Sequence, residues 1–423
     1  MSDTIFALSS GAPPAAIAVI RISGPRAGEA LSALAGSCPE PRHPSLRRLR
    51  DRAGEVLDAA LVTWFPGPAT ATGEDLAELH CHGGRAVVTA VLGALAALPG
   101  LREAEPGEFT RRAFTNGRID LTEAEGLADL LAAETEWQRR GALLAAGGAL
   151  SRRIEQWRES VLGLSAQIEA VIDFADEGDV SDLPPAFGEG IADLAAAIAR
   201  VLERPPADRL REGVRVVFAG PPNSGKSSLF NALLEDTVAI VSPEAGTTRD
   251  VIERPVALGG LAFTFADTAG LRDEGAGVIE AIGIDRAREQ LARAEIVLWL
   301  GNRADCPDGA ILVQSRCDAV AEGDEGALRV SAVTGEGLAL LTQEIIHRGK
   351  AALPPPDRIA LNRRQKALAA QALAFLERAG EACDPLLVAE ELRAARVAFD
   401  ALSGRNSTED MLDALFGRFC IGK

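Results

Sequence analysis

Gly220-Pro-Pro-Asn-Ser-Gly-Lys-Ser-Ser228 fits G-x-x-x-x-G-K-[ST], a loop whose backbone N–H groups cradle nucleotide phosphates. Gly220 and Gly225 let the main chain approach the phosphates, and Lys226 places a point charge between the β- and γ-phosphoryl oxygens. The Ser227 hydroxyl suits Mg²⁺, and Asn223, Ser224 and Ser228 are further candidate contacts. The flanks agree. Val214-Arg-Val-Val-Phe218 reads as a strand, and Leu229-Phe-Asn-Ala-Leu-Leu234 as a helix whose N-terminus faces the anion. An α/β nucleotide-binding segment follows.

Downstream, Gly246-Thr-Thr-Arg-Asp250 can close a Mg²⁺ site through the Thr248 hydroxyl. Asp267-Thr268-Ala269-Gly270 ends an apolar strand (Leu261-Ala-Phe-Thr-Phe265), where a carboxylate can hold Mg²⁺ through water and a glycine N–H can sense the γ-phosphate. Ser331-Ala-Val-Thr-Gly-Glu-Gly337 is similar to a guanine-contact loop, with Ser331 and Ala332 as candidate contacts. In this order the segments resemble a GTPase of the translation-factor-like class. Two departures stand out. Ser315-Arg-Cys-Asp318 occupies the place of Asn-Lys-x-Asp: Asp318 can accept both N–H donors of guanine and Arg316 keeps a long stem over the base, but Ser315 lacks the amide that would meet O6 and brace the phosphate loop. Weaker guanine affinity is expected. Leu271 stands where Ras-like enzymes carry a water-positioning glutamine, so the acidic stretch from Arg272 to Glu280 either supplies a replacement or is a solvated loop.

A chain of 423 residues, 47% apolar, has the capacity for more than one core. No apolar run approaches the ~20 residues that span a membrane, and Met1-Ser-Asp-Thr lacks a basic signal-peptide start. Six scattered cysteines without a C-x-x-C pair suit reduced thiols in the cytoplasm. The net charge of −17 argues against tight independent nucleic-acid binding, and no basic run exceeds Arg47-Arg48-Leu49-Arg50.

The chain reads as multidomain: an α+β domain over 1–118, an all-α helical domain over 119–208 plus 357–423, and an inserted α/β P-loop GTPase domain over 209–356. Ala16–Ile22 and Ala59–Phe65 alternate as strands, and Arg85–Leu98 as a helix. His80-Cys81-His82 puts two imidazoles on one strand face but has no further ligand nearby, so a polar strand end is the better reading. Thr122-Glu-Ala-Glu125 suggests a capping box ahead of Leu127, Leu130 and Leu131 on one helix face. Asp173–Asp179 reads as an acidic loop. Pro205-Pro206 and Leu353-Pro-Pro-Pro356 bracket the GTPase segment; helical patterning resumes over Ala367–Leu376 and Pro385–Leu402, with a capped helix from about Thr408.

These motifs, together with Arg21-Ile-Ser-Gly24, Phe65-Pro-Gly-Pro68, Gly73-Glu-Asp75, Pro106-Gly-Glu-Phe-Thr110, Ala113-Phe-Thr-Asn-Gly-Arg118 and Phe419-Cys-Ile-Gly-Lys423, resemble the MnmE (TrmE) family over essentially the whole length. The resemblance implies a homodimeric, K⁺-stimulated GTPase that works with the FAD-dependent partner MnmG, in a heterotetramer or larger. The pair installs an aminomethyl or carboxymethylaminomethyl group at C5 of the wobble uridine of certain tRNAs. The one-carbon unit comes from 5-formyl- or methylene-tetrahydrofolate, and tRNA is held mainly by the partner, with no membrane involved. It further implies K⁺ on Asn223, Ser242, Glu244 and Thr247, with Gly246 in the same loop, and Glu280 orienting the attacking water. Folate would meet Arg21, Glu78, Arg118 and Lys423, Arg118 standing where the family carries lysine. Cys420 is either a reactive thiol near the one-carbon donor or a buried small hydrophobe. Two other readings stay open: a regulatory, ribosome-assembly-like GTP-binding module without folate chemistry, and a folate-dependent transferase whose GTPase domain has decayed. Folate binding and GTP turnover separate them.

Overall fold

The computed structural model of the chain describes residues 3–173, 184–235, 238–239, 252–267, 290–319, 325–406 and 408–423. Compactness groups Met1–Ala128 with Ser403–Lys423, and Asp129–Leu402 separately. The last twenty-odd residues therefore fall with the N-terminal unit, whereas the sequence reading groups them with the helical domain.

The first unit is α+β. Strands β1 (Thr4–Leu8), β2 (Ile17–Ser23), β3 (Ser45–Arg50), β4 (Val56–Phe65), β5 (Leu76–His82) and β6 (Leu101–Glu103) form a sheet in the order β3-β4-β5-β2-β1-β6. Its pairings are antiparallel except β1 with β6. The period-two pattern of Ile20 and Ile22, with Phe6, Val62 and Leu79, aims apolar side chains at α1 (Ala27–Ala35) and α2 (Arg85–Ala96), which contribute Leu31, Val91 and Leu95 to the same core. Two further helices, α3 (Glu108–Thr115) and α4 (Leu121–Leu131), follow.

Helix α4 starts differently from the sequence reading. Its reciprocal cap runs between Asp120 and Glu123: the Glu123 N–H donates to Asp120 Oδ1 and the Asp120 N–H to Glu123 Oε2, both at 2.9 Å. Thr122 lies inside the helix and is buried, and Leu131 is 49% exposed, so it does not share the buried face of Leu121 and Ala124. An aspartate two residues upstream offers the better acceptor at the cap.

The second unit begins with α5 (Glu136–Ala146), α6 (Ala149–Asp173), α7 (Pro185–Leu202) and α8 (Asp208–Glu212), and ends with α11 (Arg363–Glu381) and α12 (Pro385–Ser403). On α6 the buried stripe Leu150, Ile154, Trp157, Val161, Leu164, Ile168 and Val171 alternates spacings of four and three. Phe187, Ile191, Leu194 and Ile198 of α7 continue that core, as do Ala369, Ala372 and Leu376 of α11 and Val388, Leu392 and Phe399 of α12. Helices from both sides of the P-loop segment thus share one bundle core, with the α/β segment inserted between them.

The inserted segment has the sheet order β13-β12-β11-β7-β10-β9-β8, built from β7 (Val214–Ala219), β8 (Val238–Ala239), β9 (Ile252–Leu258), β10 (Leu261–Asp267), β11 (Ile296–Trp299), β12 (Ile311–Gln314) and β13 (Leu328–Arg329). Helices α9 (Lys226–Glu235) and α10 (Leu338–Ala352) supply Leu229, Phe230, Leu341 and Ile345 to its core. The near-continuous burial of Val214, Val216, Val217 and Phe218 is that of a central parallel strand covered on both faces. Helix α13 (Glu409–Phe416) closes the chain: Thr408 stands at its N-cap without a side-chain cap bond, and Leu412 and Phe416 pack with Leu121 and Ala124. Among the described residues no helix is long and apolar enough to cross a membrane.

Candidate nucleotide and folate sites

Strand β7 ends at Ala219, the chain turns through 220–225, and α9 begins at Lys226. Gly220 holds φ +141, where a Cβ would lie 2.6 Å from the Leu300 carbonyl oxygen, so the chain just beyond β11 as well as any ligand demands glycine here. Asn223 adopts φ 60, a left-handed conformation that asparagine tolerates. Lys226 is 6% exposed, and its Nζ donates to the carbonyls of Gly220 at 3.1 Å and Pro221 at 2.8 Å. Those bonds curl the loop around its own lysine and hold the ammonium at the mouth of the turn.

Parallel pairing of β7 with β10 sets Asp267 level with Phe218, at the strand ends beside the loop. The Ser227 hydroxyl donates to Asp267 Oδ2 at 2.7 Å. A hydroxyl and a carboxylate oxygen in contact form a hard-donor pair of the kind Mg²⁺ prefers. The buried Ser224 hydroxyl has no hydrogen-bond partner among the described residues, as expected for a group that an incoming ligand would satisfy. Ser228 lies exposed on the first turn of α9.

On the base side, Val330 N–H donates to the Gln314 carbonyl at 2.9 Å and Cys317 N–H to the Val330 carbonyl at 3.1 Å. These bonds lay the 315–318 turn along the loop that starts at Ser331, which brings exposed Asp318 and half-buried Ala332 to one end of the sheet. Ser331 is fully buried and its hydroxyl accepts from Val333 and Thr334 N–H at 3.2 and 3.1 Å. Ser315 corrects the sequence reading. Its hydroxyl donates to the Ser224 carbonyl at 2.5 Å, so the phosphate loop is braced from here without an amide. Nothing in the spacing announces this, because it depends on how closely two distant turns approach.

Ser242, Glu244, Gly246, Thr247, Thr248, Thr268, Ala269, Gly270, Leu271 and Glu280 lie outside the described residues, as does the acidic loop beyond Asp173.

In the N-terminal unit, β2 and β5 pair Arg21 directly with Glu78, and the guanidinium meets the carboxylate at 2.9 Å. The Arg21 guanidinium also stands 5.8 Å from the centre of the Phe109 ring, a partner absent from the sequence reading although Phe109 belongs to the Pro106–Thr110 motif. Ile421 bridges to Pro106, and Gly422 packs on the carbonyl of Leu8, which places Lys423 at the end of β1. Arg118 is exposed and its side chain lies against Gly73, next to Thr72, whose hydroxyl bonds Ser23 at 2.7 Å. Cys420 is exposed, which removes the buried-hydrophobe reading. His80 meets Glu78 at 3.3 Å and His82 meets Asp58 at 2.7 Å, so each imidazole of the His-Cys-His string has a carboxylate partner. Burial, with the charge of Asp58, pushes the Cys81 thiol up to about 12.

A P-loop with its buried lysine, a Ser227–Asp267 contact beside it and two bonded loops at one end of the sheet fit a P-loop GTPase. The family described as GTP-binding protein TrmE N-terminus matches residues 4–118, and that described as MnmE helical domain matches residues 121–420. The tRNA modification GTPase MnmE of Erythrobacter litoralis is 60% identical over 423 residues, covering 100% of both chains. That of Novosphingobium aromaticivorans is 57% identical over 437 residues, again covering 100% of both. The chain belongs to the MnmE family of tRNA modification GTPases. Among solved structures, the G domain of the Thermotoga maritima FeoB iron transporter is similar at 24% identity, covering 32% of this chain and 98% of that one, with a TM-score of 0.24. Aquifex aeolicus Era is similar at 23% identity, covering 38% and 67%, with a TM-score of 0.25.

Proposed function

We propose that this chain hydrolyses GTP under K⁺ stimulation and, with an FAD-dependent MnmG partner, builds the 5-carboxymethylaminomethyl or aminomethyl group on the wobble uridine of certain tRNAs. The observation that carries the hydrolytic part is the Ser227–Asp267 contact beside buried Lys226.

Ser227 and Thr248, with the Asp267 carboxylate, would hold Mg²⁺; Asn223, Ser242, Glu244 and Thr247 would hold K⁺. Such cations supply positive charge against the charge that develops on the transferred phosphoryl group, as an arginine finger does elsewhere. Lys226 binds the β- and γ-phosphoryl oxygens, exchanging its two carbonyl partners for charged ones. Glu280 orients the attacking water in place of the glutamine that Leu271 replaces. Asp318 accepts from guanine, and Ser331 and Ala332 are further contacts to the base.

Folate fits the N-terminal unit. The Glu78 carboxylate suits the donor edge of a pterin, while Arg118 and Lys423 suit the carboxylates of the glutamate tail. Arg21 orients Glu78 through the 2.9 Å ion pair. The chain would act as a cytoplasmic homodimer, with tRNA gripped mainly by the partner, in keeping with a net charge of −17.

The deciding experiment is GTP turnover by the purified chain in matched K⁺ and Na⁺ buffers, with ATP as competitor and Lys226→Ala as control. K⁺ stimulation untouched by ATP and abolished in Lys226→Ala is expected; equal rates in both salts would remove the cation site. Glu280→Ala should keep GTP affinity and lose at least about 100-fold in turnover, and unchanged turnover would remove Glu280 from the reaction.

A further inference from the structure

We propose that Ser315 is a positioning residue for the phosphate loop and takes no part in reading the base. This rests on the guanine-nucleotide reading above and concerns which part of the nucleotide the residue serves.

A serine hydroxyl has a single O–H to donate. In Ser315 that donor is spent on the Ser224 carbonyl, 2.5 Å away, and so is not free for the O6 of a bound guanine. The same hydroxyl oxygen lies 3.2 Å from the place a Cβ on Gly225 would take, with its own Cβ at 3.4 Å. The side chain therefore fills the concave side of the turn. That turn is costly to hold: Asn223 at φ 60 and Gly225 at φ +93 flank Ser224 with left-handed backbone. For a residue with a side chain this conformation is unfavourable by about 1 kcal/mol, so it persists only where neighbours hold it.

Ser315 can act as such a neighbour because its own backbone is fixed on both sides. Gln314 accepts from Val330 N–H at 2.9 Å, and Cys317 donates to the Val330 carbonyl at 3.1 Å. The next residue, Arg316, is itself left-handed at φ 58 and exposed. Base reading is left to Asp318 and to the backbone around Ser331 and Ala332. The departure from asparagine thus separates two roles. Bracing of the phosphate loop stays at position 315, and recognition of O6 leaves it.

The test is a cycle of two ligands and two proteins, using the full chain. Affinities for GDP and for 6-thio-GDP, whose sulfur is a poor acceptor at the O6 position, are measured by calorimetry for the original chain and for Ser315→Ala. The Ala variant should bind both ligands more weakly by the same factor, between about twofold and tenfold, the worth of one hydrogen bond. Ser315→Thr keeps the O–H and should restore both affinities to within about twofold. A loss for GDP more than about threefold larger than for 6-thio-GDP would show that Ser315 senses O6 and overturn the proposal. Unchanged affinity for both ligands would overturn the brace. Should Ser315→Ala not fold, Ser315→Cys, of similar shape with a much weaker donor, makes the same comparison. Failure of the original chain to bind GDP would instead overturn the nucleotide reading itself.

Discussion

The main-chain N–H of Trp137 donates to the carbonyl of Gly260 at 3.2 Å, tying the first turn of α5 to the turn between β9 and β10. The Trp137 ring is half-buried and packs against the sheet core, while neighbouring Gln138 donates from Nε2 to the Leu210 carbonyl at 2.9 Å. Helix α5 is therefore held at two places, one of them the near end of the strand that carries Asp267 at its far end. Trp137→Ala keeps the backbone bond but removes the packing, and should lower the stability of this unit by about 3 kcal/mol, below the full cost for a completely buried ring. Urea unfolding followed by far-UV circular dichroism checks it; a loss under about 0.5 kcal/mol would mean that the ring contributes no packing there.

Acid sensitivity should be concentrated in the N-terminal unit. Burial by itself would raise the Glu108 carboxyl, but bonds from Arg102, the Glu105 N–H and Arg112 outweigh it and hold the group below its ordinary 4.5. Asp3 is similarly held below 3.8, burial again opposing and Arg102 and Arg112 prevailing. A carboxyl depressed on folding stabilises the protein fully above its unfolded value, and loses that contribution as pH falls through the folded one. The unfolding midpoint should thus be insensitive to these groups between pH 7 and about 5, and fall steeply below about 4.5. Arg112, 1% exposed, also binds Glu74 at 3.0 Å. Arg112→Met should cost about 3 kcal/mol at neutral pH by leaving buried carboxylates under-compensated, and should flatten the acid limb.

Local features are the ones legible in the sequence. The phosphate loop, the strand before it and the helix after it declare themselves through short spacing and periodicity, and β7, α9 and β10 stand where Val214–Phe218, Leu229–Leu234 and Leu261–Phe265 suggest them. The N-terminal motifs are legible as words, but the contact of Arg21 with Phe109 is not, because it needs two elements 88 positions apart to meet. The cap of α4 is ambiguous in sequence because Thr122 and Asp120 are both plausible acceptors, and only the helix's true start separates them. Capping boxes at Thr135–Gln138 and Asn362–Gln365 are hidden for the same reason. The brace from Ser315 to Ser224 spans 91 residues, and Ser403–Lys423 joins residues at the other end of the chain. Such pairings are decided by tertiary packing, to which local propensity is blind.

Thiol reactivity should divide the six cysteines by exposure. Cys38, Cys383 and Cys420 are exposed, Cys306 is half-buried, and Cys81 and Cys317 are buried. Native titration with a chromogenic disulfide at pH 8 should label the exposed group quickly and leave Cys81 unmodified until denaturant is added, since a thiol with a pKa of about 12 has almost no thiolate at that pH. If Cys420 lies in the folate site, 5-formyl-tetrahydrofolate should slow labelling at that residue alone, with Cys420→Ser identifying its share. Equal protection of Cys38 and Cys383 would point to a general effect of the ligand.

The position of Lys423 hangs on one glycine, which makes the folate reading testable apart from GTP hydrolysis. Gly422 holds φ +91, and a Cβ there would meet the Leu8 carbonyl oxygen at 2.2 Å and its carbon at 2.8 Å. Backbone cannot yield as a flexible side chain can, so Gly422→Ala must push the closing segment off the end of β1 and strain the bridge from Ile421 to Pro106. Lys423 then moves relative to Arg21 and Glu78, which β2 and β5 hold in register. Affinity for 5-formyl-tetrahydrofolate should fall at least about tenfold, while GDP affinity, set in the other unit, stays within about twofold. Gly36→Ala is the control: Gly36 also has a positive φ, +83, but nothing lies within 4 Å of its Cβ position, so it carries the conformational cost without the collision. Loss of folate binding in Gly422→Ala but not in Gly36→Ala would assign the effect to the displaced segment. Equal folate affinity in all three proteins would remove Lys423 from the site, leaving Glu78 and Arg118 to hold any folate without it.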